Sequence, residues 1–204
     1  MAKLYFAYGS NLNKRQMTRR CPDARPLSLL HLENWKLVFR GVADIVPSPG
    51  DFVSGGVWVI SDNDERALDI YEGYRGDGSG MYRKVGVPIE PLKMRGETFT
   101  ELMFYVMNSD GIMPPSEGYL ASIREGFKDF GLRLKPLNDA VEASWDDKNP
   151  SHVERRRHAR KGRPTLAVRP SEKKKAVKVT VTNSEPTPAQ CATWQRAMTV
   201  HSND

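Results

Sequence analysis

Cysteine is scarce in this chain. Only Cys21 and Cys191 occur among its 204 residues, too few for a disulfide framework, and two unrelated thiols suit a reducing compartment. Long apolar runs are missing too: no stretch of about eighteen apolar residues exists, which excludes a spanning helix. The chain leads directly into a strand without a charged-then-apolar leader, so a cytoplasmic protein with no membrane partner is expected. His31, His152, His158 and His201 stand at no ligand-like spacing from cysteines or acidic residues, and no metal is expected. Gly76-Asp77-Gly78-Ser79-Gly80 is glycine-rich, but no Gly-Lys-Ser/Thr follows it, so it reads as a mobile loop rather than a phosphate cradle. Ser10 lies outside any Gly-x-Ser-x-Gly elbow, which argues against a nucleophilic serine there.

Charge is present but unevenly spread. Of the formal net charge of +6, residues 150–204 hold 12 Lys or Arg against 4 Asp or Glu, while the first 149 hold 19 against 21. The basic character therefore belongs to the C-terminal part, in blocks such as Glu154-Arg155-Arg156-Arg157-His158-Ala159-Arg160-Lys161 and Lys173-Lys174-Lys175. With few large apolar residues, that part cannot bury enough surface to offset its chain entropy. Residues 148–204 are expected to be a disordered basic tail, with residues 177–181 as a stray strand. Residues 154–178 could make a weak contact with nucleic acid or another polyanion. Trp194 is the tail's one aromatic ring, so such a contact would be phosphate-driven and salt-sensitive. Residues 1–147 are expected to form the folded domain.

Periodicity places the elements of that domain. Residues 4–8 read as a buried strand, Gly9 breaks it, and Ser10 or Asn11 can cap a helix over residues 12–20. Short strands around residues 42–46 and 57–60 flank a turn at residues 47–50, and residues 62–73 form a short helix with Ala67, Leu68 and Tyr71 on one face. Strands follow at residues 82–89 and 98–107. Ser116 caps a helix whose apolar face is Leu120, Ile123, Phe127 and Phe130, stopped at Gly131. Residues 136–144 make the last helix. The fold class is mixed α/β.

The strand, turn and helix around Gly9 leave backbone N–H groups pointing at one spot, an arrangement that suits a carboxylate or a developing oxyanion. Four ordered blocks then carry a resemblance: Tyr5-Phe6-Ala7-Tyr8-Gly9-Ser10-Asn11-Leu12; Ser48-Pro49-Gly50-Asp51 with Gly55-Gly56-Val57-Trp58; Leu68-Asp69-Ile70-Tyr71-Glu72-Gly73 with Ser79-Gly80-Met81-Tyr82; and Pro114-Pro115-Ser116 with Tyr119. Together they resemble the γ-glutamylcyclotransferase family. The resemblance implies a small β-barrel with flanking helices. The implied reaction is attack by the α-amine of a γ-glutamyl amino acid or amine on its own γ-carbonyl, which releases 5-oxoproline and a free amine without a cofactor.

The resemblance also assigns residues. Glu72 becomes the general acid/base, although by local sequence alone it is a glutamate beside a helix-stop glycine, no different from Glu65, Glu117 or Glu125. Its place at a helix C-terminus would raise its pKa. Tyr5, Phe6, Ala7, Tyr8, Gly9, Ser10 and Asn11 become the substrate loop, with backbone N–H groups near Gly9 and Ser10 as oxyanion donors. Tyr119 becomes a substrate contact or one more apolar residue of its helix face; Tyr82 and Tyr105 line or support the pocket, or pack in the core. The rival reading is a non-catalytic pocket of the same shape that binds a small ligand, with the basic tail on nucleic acid.

Overall fold

The computed structural model describes residues 2–94 and 96–145. The expectations for residues 148–204, including the polyanion contact, lie outside the described residues. Ten elements follow in chain order: β1 (Lys3–Ala7), a 3₁₀ turn (Ser10–Leu12), α1 (Lys14–Arg20), β2 (Arg25–Phe39), β3 (Ala43–Ile60), α2 (Asp62–Tyr71), β4 (Tyr82–Met94), β5 (Glu97–Met107), α3 (Glu117–Asp129) and α4 (Lys135–Trp145). The strands form one mixed sheet in the order β2-β3-β1-β5-β4. β1 lies at its centre, antiparallel to β3 and parallel to β5, with Tyr5 opposite Trp58 on one side and Met103 on the other. That central place explains why Leu4, Tyr5, Phe6 and Ala7 are all buried.

The expected barrel is not formed. Among the described residues β2 and β4 are the outer strands of the sheet, β2 gaining only an isolated bridge from Arg40 to Met113 at its end. The β2–β3 hairpin slips register at Asn34, which sits at φ 64, and the next residue, Trp35, packs edge-on against Phe104 of β5, 5.2 Å between centroids.

Two boundaries also differ from expectation. The Pro47-Ser48-Pro49-Gly50 segment is not a turn between strands but part of β3, with Pro47 opposite Trp35. β1 covers β3 only from Gly56 to Ile60, so the earlier half of β3 has a free edge, where proline's missing N–H costs no ladder bond. The chain reverses instead at Arg40, Gly41 and Val42. The helix after Gly9 is interrupted: Ser10 and Asn11 enter a 3₁₀ turn without a side-chain cap, and Asn13 caps α1 by accepting from the Gln16 N–H at 3.0 Å. In α2 the cap is Ser61, in a reciprocal box with Asp64. Tyr71 leaves the expected apolar face and is 49% exposed, whereas Leu68 is fully buried. The α3 face is as expected, with Leu120, Ile123 and Phe127 buried and Phe130 set edge-on to Trp58.

α3 packs directly on the 3₁₀ turn, and Gly126 permits that approach. A Cβ at this position would lie 2.5 Å from Leu12 Cβ and 2.7 Å from the Asn13 amide nitrogen. Backbone cannot give way as a side-chain tip can. Gly126→Ala is therefore expected to destabilise the fold by about 1–3 kcal/mol, read as a lower denaturant midpoint at unchanged m-value. An unmoved midpoint would mean that the turn is not seated on α3 this closely.

Candidate active site

The 3₁₀ turn and the end of α2 bring Asn11 and Glu72 together. α2 stops in a Schellman motif, with the Tyr74 N–H on Asp69 O (2.8 Å) and the Gly73 N–H on Ile70 O (3.2 Å). Gly73 takes φ 59, the left-handed conformation this motif needs. Glu72 is the capping residue just before it, and its side chain turns inward to accept from Asn11 Nδ2 at 2.8 Å. The same Nδ2 donates to the Tyr5 hydroxyl at 2.7 Å, and Asn11 Oδ1 accepts from Arg20 Nη1. The Arg20 guanidinium lies flat on the Tyr71 ring, 3.3 Å from its centroid.

A small cleft of about 30 Å³ opens over this cluster, lined by Tyr5, Tyr8, Gly9, Ser10, Asn11, Ala43, Glu72, Tyr82, Tyr105 and Tyr119. Eight of the nine lining residues besides Glu72 are thus ones the sequence pointed to. The ninth is Ala43, and Phe6 and Ala7, expected in the substrate loop, do not line the cleft. Phe6 faces away from Tyr5, as strand alternation requires, and packs on Phe104 and Tyr8. Ala7 is buried in the sheet opposite Gly56. The Gly76 to Gly80 loop does not line the cleft. It is tied to itself and to Asn108, whose Nδ2 donates to Gly80 O at 2.8 Å.

Sequence reasoning missed Ala43, which organises two of the tyrosines. Its N–H donates to the Tyr119 hydroxyl at 3.1 Å, and its carbonyl accepts from Tyr82 at 3.4 Å. The neighbouring Asp44 fixes that peptide: fully buried, it accepts from the Met107 N–H (2.9 Å) and from Arg40 Nε (2.7 Å). Burial pushes the Asp44 carboxyl up, against the pull of those two partners. An aspartate inside the apolar run Val42-Ala43-Asp44-Ile45-Val46 was the available sign. The Tyr105 hydroxyl is also occupied, donating to Asp69 at 2.7 Å, while Asp69 pairs with Lys84. Tyr105 therefore offers the cleft its ring. Tyr8 donates to the Tyr105 carbonyl at 2.6 Å.

A family model described as gamma-glutamyl cyclotransferase, AIG2-like, matches residues 5–126. The chain belongs to this family. Relatives include a bovine gamma-glutamylcyclotransferase, 33% identical over 166 residues that span 74% of this chain and 85% of the bovine protein. A human protein of the same name is 35% identical over 144 residues, 65% of this chain and 73% of the human one. Among solved structures, a gamma-glutamyl cyclotransferase superposes with a TM-score of 0.56 at 29% identity, covering 76% of this chain and 97% of that one.

In this cyclotransferase-family cleft the carboxyl of Glu72 is raised from its usual 4.5 to about 7. Burial is the cause, and the Asn11 hydrogen bond and the Arg20 charge oppose it. Among the described residues no helix is long and apolar enough to cross a membrane, and no His, Cys, Asp and Glu cluster could hold a metal ion.

The elevated pKa has a consequence for stability. The folded chain holds the Glu72 proton more tightly than the unfolded chain, so this contribution is fully present below pH 4.5 and is lost as pH rises through about 7. Glu72→Gln carries no charge at either pH. At pH 8 the variant is expected to be the more stable by on the order of 1–2 kcal/mol, allowing for solvent at the edge of the carboxyl. The gap should close by pH 4. Thermal unfolding at both pH values checks this, and a gap of equal size at both would contradict it.

Proposed function

We propose that this chain is a γ-glutamylcyclotransferase that converts a γ-glutamyl amino acid or amine into 5-oxoproline and the free amine. The observation that carries the reading is the burial of Glu72 in a phenol-lined cleft beside the Asn11 amide, with a carboxyl that exchanges protons near pH 7. Membership of the family supports the reaction class. A passive binding pocket would gain nothing from a carboxylate held so far from its ordinary proton affinity.

The chemistry asks little of the protein because the nucleophile is part of the substrate. Glu72 takes a proton from the α-ammonium, and the freed amine attacks the γ-carbonyl carbon. The oxygen that gains charge faces the Gly9 and Ser10 segment. Within the 3₁₀ turn the Leu12 and Asn13 N–H groups bond back to Gly9 O and Ser10 O, both at 3.0 Å, which leaves the Ser10 and Asn11 N–H groups no acceptor inside the turn. Glu72 then protonates the departing nitrogen as its bond to carbon breaks. A second proton follows the same route from the new ring nitrogen, so the amine leaves as an ammonium and the carboxylate is regenerated. Tyr5, Tyr8, Tyr82, Tyr105 and Tyr119 shape the cleft around the glutamyl part. Residues 1–147 suffice for this activity in our reading, which the family match over residues 5–126 supports, and the basic residues 148–204 lie outside it.

Two results are expected when γ-glutamyl dipeptides and amines are assayed for 5-oxoproline release. Wild-type kcat/KM should rise with pH through about 7 and level off above it, because the base must start ionised. Glu72→Gln should lose at least about 100-fold in kcat. Absence of 5-oxoproline from every γ-glutamyl compound would overturn the reading.

A further inference from the structure

Outside the cleft lining, one side chain is tied to the proton-carrying cluster by two separate contacts. We propose that Arg20 is a positioning residue for Glu72: by donating to Asn11 Oδ1 while stacked on Tyr71, it locks the Asn11 carboxamide with Nδ2 toward Glu72 and Tyr5, so that Glu72 Oε1 is held and Oε2 alone carries the proton. The inference rests on the reading of Glu72 as the proton carrier.

A carboxamide has two chemically different ends, and a half-turn exchanges them. Nδ2 faces two acceptors here, Glu72 Oε1 at 2.8 Å and the Tyr5 oxygen at 2.7 Å. While Glu72 is ionised, its charge alone would keep the amide this way round. Once Glu72 takes up a proton it becomes a donor as well, and the reversed amide could accept from it. A group that changes protonation during each turnover therefore cannot by itself keep Asn11 in place. Arginine can, because it has only donors and stays charged at any working pH, so Oδ1 must remain on its side in both states of Glu72. The flat contact with Tyr71 fixes the guanidinium plane, and Tyr71 is the residue next to Glu72 on the chain.

The other groups facing Glu72 cannot substitute. Tyr5 of β1, Tyr8, Tyr82 of β4, Tyr105 of β5 and Tyr119 of α3 all interact with its charge, and each has its phenol pushed further up by burial. Asp69 on α2 itself is taken by Tyr105 and Lys84. Arg20 is thus the cation among the described residues that acts on Glu72.

The test compares full-length Arg20→Met and Arg20→Lys with wild type. Arg20→Met should lower kcat by about ten- to a hundredfold with a smaller change in KM, and move the acid limb of the pH profile upward by roughly one pH unit. Arg20→Lys keeps the charge without the planar fork, so it should restore the limb and recover kcat only in part. Thermal unfolding measures any loss of fold. If Arg20→Met loses activity only in proportion to its folded fraction, with the limb unmoved, Arg20 is structural and the proposal is overturned. If wild type releases no 5-oxoproline at all, the functional reading fails, but the Glu72 carboxyl can still be titrated by carbon NMR, assigned against Glu72→Gln. An upward displacement in Arg20→Met supports the positioning role, and an unchanged titration overturns it.

Discussion

One constraint organises this structure: a carboxylate has been taken largely out of water and, among the described residues, given a single neutral side-chain donor to hold it. Burying an ionised carboxyl is costly unless its charge is met by partners. At Glu72 the compensation is deliberately incomplete. Asn11 supplies one hydrogen bond and Arg20 a charge behind it, and burial still outweighs both. A bidentate partner such as an arginine fork would have returned the carboxyl to its ordinary range and left it unable to accept and release protons near neutrality. The Asn11 carboxamide stands between cation and carboxylate, and the Arg20 charge lowers the Glu72 pKa by less than burial raises it.

Holding that balance requires many elements at fixed places. The Schellman turn at Gly73 points Glu72 inward, the 3₁₀ turn presents Asn11, and α1 delivers Arg20 one helical stretch later. On the opposite wall, the Ala43 peptide spaces Tyr119 and Tyr82, and it is placed by the buried Arg40–Asp44 pair acting on the end of β5. Such a pair adds little net stability, since desolvation offsets most of its attraction. What it contributes is location: it clamps the start of β3 against Met107, so the hairpin ends where the cleft needs it.

Much of this could be read from the sequence, for identifiable reasons. The α3 face was legible because Leu120, Ile123 and Phe127 repeat at helical spacing, and the Gly9 junction because an apolar run, a breaker and small polar residues occur together. Most of β2 was not. Residues 25–36 mix Pro26, Ser28, Glu33 and Lys36 among apolar positions, as an edge strand exposed on one face does, and no clean alternation survives. The Pro47 to Gly50 segment carries every mark of a turn, yet its long-range pairing with β2 overrides local preference. Within the cleft, the tyrosines were visible as candidates, but which hydroxyls remain free was not. Tyr105 spends its hydroxyl on Asp69, a contact 36 residues apart that no local pattern encodes. Arg20 was hidden for the opposite reason, since two arginines closing a helix look like partners of the helix dipole.

The cause of the raised Glu72 pKa shows the same limit and points to a broader principle of the site. A helix C-terminus was a sufficient local reason, but the dominant one is burial created by β1, β4, β5 and α3 together. Those elements contribute phenols, and the choice matters. In the proposed reaction a carboxyl that gains and loses a proton more than once in each turnover needs surroundings that do not change with it, or the proton would be shared among several groups and its position lost. Burial drives the phenols of Tyr5, Tyr8, Tyr82 and Tyr119 upward, away from neutrality, while it brings the carboxyl of Glu72 up toward it. The same desolvation thus separates the carboxyl proposed to exchange protons from the neighbours that stay neutral, and in that reading Arg20 supplies the fixed reference for the exchange.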